Sequence, residues 1–563
     1  MRDRSISALR TLRPELDAEI FWFRDDLHQP MPISAMGMTT VQKHHAWGYH
    51  VAAKETSLPP SKGAFVKMFK GRVYLGFALI EDEREVAARA EKFGKYVEYC
   101  RQNWEEFYNR YIDEVKTGLA TMRSVNAETA SWSALLDHVR KADDVNRRNW
   151  EIHFILMYPA DALYLECEAY CKQLGFEEKN FVTMLKGFDS MPARTDEAIW
   201  NLALHSRELG LKEIIEKTPS EDLRGELALK PNAASWLREF DAFLATYGNR
   251  INAAHLDVLF PTWRDDPIPV IDTIRSYFCR MDGGWDFYRA REAVYRDRDD
   301  AIKKAEAQIA PEDRVRFGEM LAIGQKVYAY QEDHGFYIDQ GSTAGLHDVL
   351  MGVGRRFLRI GLLKAAEDIF FLTFGELDEI IGDLARDEDI AVYHHGALVC
   401  SLVDERRRDW EEASTDEAPL TLGNVPKTMT DPIAIKVFGI IDEVLHPKGE
   451  KVVSETLTGF AGSAGITQGR ARVVKDFKEF ATVQAGEILI APYTGTAWTP
   501  LFLKIGGVVT DTGGMLTHAA IAAREYGIPA VVGTWNATNS IHTGDIVRID
   551  GGTGVVEIIE RAH

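Results

Sequence analysis

The sequence predicts a multidomain chain: a large, mainly α-helical domain followed by a small α/β module. Three observations carry this. The chain has 563 residues, more than one ordinary core holds when domains average roughly 150 residues. Apolar residues recur in steps of three and four through the first four hundred positions, the spacing of helices that bury one face. Beyond Gly459 the pattern changes to short β-rich runs separated by glycine turns.

From Phe93 the apolar positions run Val97, Cys100, Trp104, Phe107, Tyr111, Val115 and Leu119, which predicts one long amphipathic helix. Similar stripes recur around 152–165, 236–244, 271–278 and 320–330. Pro59-Pro60, Pro261, Pro267 and Pro269 punctuate them. A repeat of fixed period is lacking, which argues against a solenoid. After Cys400 dense charge at 404–409 and 411–416 gives way to Pro419, Pro426 and Pro432, the mark of a helix end and an extended connection. The expected division is therefore a helical domain at 1–404, a linker or hinge at 405–455, and a C-terminal module at 456–563. In that module strands are expected at 471–474, 487–491, 507–510, 530–532 and 545–549. One helix is expected from His518 to about Tyr526, closed by Gly527.

Lys and Arg number 66 against 86 Asp and Glu, a formal charge of −20, which opposes general nucleic-acid binding. No apolar run reaches the ~18–20 residues needed to span a bilayer, and Met1-Arg2-Asp3-Arg4 lacks the apolar core of a secretion signal. Five cysteines form a sparse, odd set, unlike a disulfide framework. Cys167 and Cys171, one helical turn apart, read as packing residues rather than metal ligands. The pairs His44-His45 and His394-His395 read as non-functional. These features together give the expectation of a cytoplasmic protein without membrane or nucleic-acid partners.

The informative segment runs from Thr510 to Gly533. A buried strand ends at Thr510, the pair Gly513-Gly514 follows, and His518 arrives at the first turn of a helix. Free backbone N–H groups and the helix dipole favour an anion there. They disfavour a proton on the ring, leaving a neutral, nucleophilic imidazole. The Thr517 hydroxyl is expected to solvate a phosphoryl group on that ring, and Gly513 and Gly514 to let the backbone approach it.

This segment, through Ala519, Ala520, Arg524, Glu525 and 527–533, closely resembles the phosphohistidine motif of the phosphoenolpyruvate-utilising enzymes. The resemblance implies that the C-terminal module is a small swivelling β/β/α phosphohistidine domain with His518 as the phosphorylated residue. Thr517, Gly513, Gly514 and Arg524 are then the phosphate-stabilising set. Where the dikinases carry a threonine two positions before the histidine this chain has Leu516, and Thr517 is similar to the pattern in rifampicin phosphotransferases. Weaker resemblance to the helical region of phosphoenolpyruvate synthase and rifampicin phosphotransferase is carried by residues 22–32, 71–74, 367–377 and 247–267. His255 stands there where relatives usually carry a glutamate.

No Gly-x-x-x-x-Gly-Lys-[Ser/Thr] loop is present. There is no expected room for an ATP-grasp domain before Trp22, or for a phosphoenolpyruvate barrel of roughly 250 residues after the last strand. That arrangement resembles the phosphohistidine-bearing subunit of phenylphosphate and alkylphenol phosphate synthases. The resemblance implies a separate ATP-grasp subunit that uses Mg2+ with ATP, this chain binding no cofactor alone. The phosphoryl group would pass from His518 to a phenolic hydroxyl such as that of p-cresol, with AMP and phosphate as the other products. A split rifampicin-type phosphotransferase and a non-catalytic phosphocarrier or scaffold are the alternatives. A phenol has a pKa near ~10, so its attack calls for a base and for nearby cations. Candidates in the helical region are His153, His255 and His334 as bases and Arg250 as an anion partner, with Asp257, Glu332 and Asp339 to orient them. No metal site is expected.

Overall fold

The computed structural model describes residues 18–251, 256–415, 418–429, 432–446, 455–475, 477–495 and 498–562. Two compact units are present, and the chain passes between them several times. The first comprises Met1–Pro159, His255–Pro261 and Tyr337–Lys427; the second comprises Ala160–Ala254, Thr262–Phe336 and Thr428–His563.

In the first unit the strands Ser61–Phe69, Arg72–Leu79, Phe21–Arg24 and Thr421–Gly423 form an antiparallel sheet in that order. Lys70 and Gly71 join the first two with φ of +50° and +70°. A tight hairpin needs such left-handed conformations so that its twist matches that of the strands. The helix Glu83–Met122 starts where the Asp82 carboxylate accepts the Arg84 N–H at 2.9 Å. It buries Val97, Cys100, Trp104, Phe107, Tyr111, Val115 and Leu119, the stripe that the spacing predicts. Phe370, Phe371 and Leu372 are core residues. The charged run after Cys400 differs from expectation. Residues 405–415 continue the helix Glu388–Thr415, where Arg406 is tied to the Glu376 carboxylate at 2.6 and 2.9 Å. A paired arginine buries its stem while spending its charge on a partner, which lets so polar a sequence stay helical. The unit boundary accordingly falls after Lys427 rather than at 404.

The second unit holds a helical part and the C-terminal sheet. The helices Met191–Glu208, Ala234–Tyr247, Ile268–Asp282 and Phe287–Gln308 surround a core containing Trp200, Trp236, Trp263, Tyr277 and Phe278. The sheet has eight strands, in the order Thr456–Thr458, Val555–Glu560, Ile546–Asp550, Ile466–Val473, Ile488–Ala491, Gly507–Thr510, Ala530–Val532, Phe460–Ser463. Its four neighbours from Ile466–Val473 to Ala530–Val532 pair in parallel. Parallel strands are covered on both faces, so the inner three read as unbroken apolar runs. Side chains alternate between two cores: Leu489, Ala491 and Val508 on one face, Ile488, Ile490 and Val509 on the other. The helix His518–Tyr526 follows the strand Gly507–Thr510 and ends at Gly527, whose φ is +66°. Among the described residues no helix is long and apolar enough to cross a membrane.

Candidate active site

Parallel sheets gather loops beyond the carboxyl ends of their strands, where chemistry collects. Here Thr494 follows the strand Ile488–Ala491, and residues 511–517 follow Gly507–Thr510. His518 is the first residue of its helix, after Thr517 in extended conformation. The imidazole is half-buried and held at both nitrogens: Nδ1 lies 3.1 Å from the Thr494 hydroxyl and Nε2 lies 3.2 Å from the Thr499 hydroxyl. Phe502 meets the ring edge-on at 5.6 Å between centroids. Burial, with the nearby Arg250 guanidinium, lowers the His518 pKa to about 3. The ring is therefore neutral throughout the physiological range, so one of its nitrogens carries the lone pair a nucleophile needs.

His518 lines an open cleft of ≈ 870 Å³, a volume that includes solvent at its mouth. One wall is a single face of its own helix, because His518, Ile521, Ala522 and Glu525 all border it at the i, i+3, i+4, i+7 spacing of one helical side. The facing walls come from the helical part. Phe188, Trp285, Phe287 and Val294 supply apolar surface, Arg280 and Arg291 positive charge, and Asp196 and Glu332 carboxyl groups. Burial dominates both acids. The Asp196 pKa is raised to about 7, and that of Glu332, further opposed by Glu525 and Asp333, to about 8. A carboxyl that exchanges its proton near neutrality is suited to general acid–base work.

The expected site residues divide between the two units. Arg250, Glu332 and His334 belong to the second, with His518. Arg250 is fully buried; it donates to the Thr195 hydroxyl at 3.0 Å and lies 5.0 Å from the Trp263 ring. Its charge acts on His518 through the field. His334 places Nδ1 3.1 Å from the Tyr330 carbonyl in its own helix. His153, Asp257 and Asp339 belong to the first unit. His153 and Asp339 lie 3.0 Å apart. Asp257 accepts the Ser34 N–H and hydroxyl, both at 2.6 Å, and burial raises its pKa to about 6. His255 lies outside the described residues.

The residues expected to stabilise a phosphoryl group have the following partners. The Thr517 hydroxyl donates to the Gly514 carbonyl at 2.8 Å. Arg524, six residues into the helix, donates to the Met515 carbonyl at 2.8 Å and the Tyr328 hydroxyl at 3.2 Å. The space that Gly514 leaves is filled by backbone of the segment expected to be a linker. A Cβ there would lie 2.2 Å from the Lys436 carbonyl oxygen. Gly513 is required by its φ of +98°. The hydroxyls within hydrogen-bond distance of the ring are those of Thr494 and Thr499. A polar, threonine-rich loop directly after an apolar strand was their signal in the sequence. Cys167 and Cys171 are buried and form no disulfide.

Residues 483–554 match the family described as PEP-utilising enzyme, mobile domain. Residues 152–332 match the rifampicin phosphotransferase fourth domain. Chondramide synthase cmdD of Chondromyces crocatus is 26% identical over 96% of this chain and 14% of its own length. The uncharacterized phosphotransferase YvkC of Bacillus subtilis is 28% identical over 73% of this chain and 48% of its own. A rifampicin phosphotransferase of Streptomyces sviceus is 29% identical over 62% of this chain and 37% of its own. The chain thus spans half or less of the length of these relatives. It carries a mobile domain of the phosphoenolpyruvate-utilising type and a helical domain of the rifampicin phosphotransferase type.

Proposed function

We propose that this chain is a phosphotransferase subunit in which His518 receives a phosphoryl group and passes it to a phenolic hydroxyl bound in the cleft. The observation that carries the reading is a neutral imidazole, fixed at both nitrogens, on the wall of a cleft that also offers aromatic surface, arginines and carboxyls of raised pKa. Thr494 accepts the Nδ1–H bond, so the lone pair is on Nε2, where the Thr499 hydroxyl holds it until it attacks phosphorus. In the second step the phenolic oxygen attacks the phosphohistidine. The O–P bond forms, the N–P bond breaks and its electron pair returns to Nε2, while Glu332 takes the phenolic proton. A base near 8 suits an acid near ~10 better than an ordinary carboxylate does. Arg280 and Arg291 offset charge on the moving oxygens. Loading is assigned to a separate ATP-grasp subunit using Mg2+ with ATP, which releases AMP and phosphate.

A second reading, a rifampicin-type antibiotic phosphotransferase in two chains, is favoured by the relatives named as such and by the match at 152–332. One experiment separates the two. The chain is phosphorylated chemically with phosphoramidate and then offered p-cresol or a rifamycin, beside His518→Ala. Aryl phosphate from the wild type alone supports the first reading, and phosphorylated rifamycin the second. Equal labelling of the His518→Ala chain would sink both.

A further inference from the structure

The proposed carrier must leave the cleft to be loaded and return to discharge, so something must seat it reversibly. We infer that Arg524, Glu525 and Tyr526 form a docking key that positions His518 over the cleft, an inference that rests on the carrier reading. Each of these consecutive residues bonds the helical part. Arg524 donates to the Tyr328 hydroxyl at 3.2 Å. Glu525 accepts the Gly187 N–H at 3.0 and 3.1 Å through its two oxygens. Tyr526 donates to the Asp196 carboxyl. Three successive residues at 100° steps sweep about 200° of a helix, so the last turn is gripped around more than half its circumference.

The geometry also sets register. Glu525 follows His518 by seven residues, two turns on the same face, so anchoring its carboxyl on Gly187 fixes where the imidazole sits along the wall. Arg524 reaches back as well: its second nitrogen holds the Met515 carbonyl at 2.8 Å, which couples the loop before His518 to the same anchor. All three contacts are polar, and water re-solvates such groups on separation. Their net strength is therefore modest, which suits a seat that opens. A fourth contact, Lys436 to Glu168 and Glu178 at 2.6 and 2.8 Å, adds a salt-sensitive hold. These are positioning residues, since they act through the placement of His518.

The test uses the full chain and phosphoramidate, whose P–N bond breaks as the His518 N–P bond forms and ammonia leaves. Docking shelters the ring, so Tyr526→Phe and Glu525→Ala are each expected to raise the initial labelling rate about fivefold, the effect of one net hydrogen bond. Both are expected to slow transfer from preloaded His518 to p-cresol. Amide exchange over 187–196 and 515–526 is followed in the same samples. It quickens in the two key variants if the dock is real, and it decides the matter should a variant also melt early. Unchanged labelling and exchange in both variants would overturn the dock while leaving the carrier intact. A chain that never takes label, yet whose exchange quickens as expected, would overturn the carrier and keep the dock.

Discussion

Replacing Gly514 by alanine puts a methyl group where the structure has backbone. The new Cβ would lie 2.2 Å from the Lys436 oxygen, 2.6 Å from the Lys436 carbonyl carbon and 2.8 Å from the Ile435 oxygen. No side-chain rotation relieves a clash with main chain. Ordinary contact begins at 3.4 Å, so the segment around Lys436 must retreat by about 1.2 Å. That movement breaks the Gly514 N–H bond to Val437 and the Leu516 N–H bond to Lys436, both 3.2 Å. Two such bonds at about 1 kcal/mol each, with about 1–3 kcal/mol for overpacking, give a loss of about 3–5 kcal/mol. Urea unfolding of the full chain, with amide exchange over 432–446 and 511–517, measures it. Gly318→Ala is the control: it lies in the helix Arg314–His334 with nothing within 4 Å of its Cβ, and alanine there stabilises a helix by up to about 1 kcal/mol. A Gly514→Ala chain as stable as the wild type would refute the packing described for this loop.

Five further outcomes are expected. His518→Ala abolishes acid-labile label and aryl phosphate together, as read by phosphate-affinity gels and product chromatography. Glu332→Gln leaves labelling intact and lowers transfer to the phenol about 10²-fold or more, the usual contribution of a general base. The same substitution changes the pH dependence of stability. The Glu332 pKa of about 8 stands above the ordinary 4.5, so its stabilising protonated form is full below the ordinary value and lost as pH rises through about 8. Glu332→Gln therefore makes the fall in urea midpoint between about pH 5 and 8 shallower. His518 works in the other direction. Its pKa is lowered to about 3 from 6.5, so its contribution is full above 6.5 and lost as pH falls towards 3, and ring NMR on selectively labelled histidine should show no protonation at pH 5. Thr494→Val removes the partner of Nδ1, lets the ring adopt either tautomer, and slows labelling about tenfold.

The fold was legible where burial imposes a period. The stripe from Val97 to Leu119 and the apolar runs at 488–491, 507–510 and 530–532 became the elements their spacing predicts, because a helix face and a doubly covered strand each admit one pattern. The charged run after Cys400 misled for a physical reason. Charge density alone does not distinguish a solvated linker from a helix whose arginines find carboxylates on neighbouring elements, as Arg406 finds Glu376. Partners thirty residues away leave no local trace. The interleaving of the two units was illegible too: residues 421–423 pair with 21–23, a contact across four hundred positions that periodicity cannot report.

The site was legible in part, and the partners its motif residues take are instructive. The position of His518 at a helix start followed from the glycine pair and the apolar strand before it. The reasoning that it should be neutral had the right sign, but the structure adds causes the sequence could not supply: burial, and the charge of Arg250. The motif's own polar residues were the natural choice for stabilising a phosphoryl group, yet Thr517 donates to Gly514 and Arg524 to Met515 and Tyr328. A residue near a reactive group in sequence has a backbone to cap and a loop to hold, and those demands take its hydrogen bonds first. The groups that face the imidazole and the cleft come from other segments, Thr494 from the loop after Ile488–Ala491, Thr499 from the start of the short helix Thr499–Phe502, and Asp196 and Glu332 from the helical part. If so, motif residues beside His518 govern how the ring is seated, while distant ones govern what it reacts with. Substitutions at Thr517 or Arg524 should then change labelling and transfer together, whereas those at Glu332 should change transfer alone.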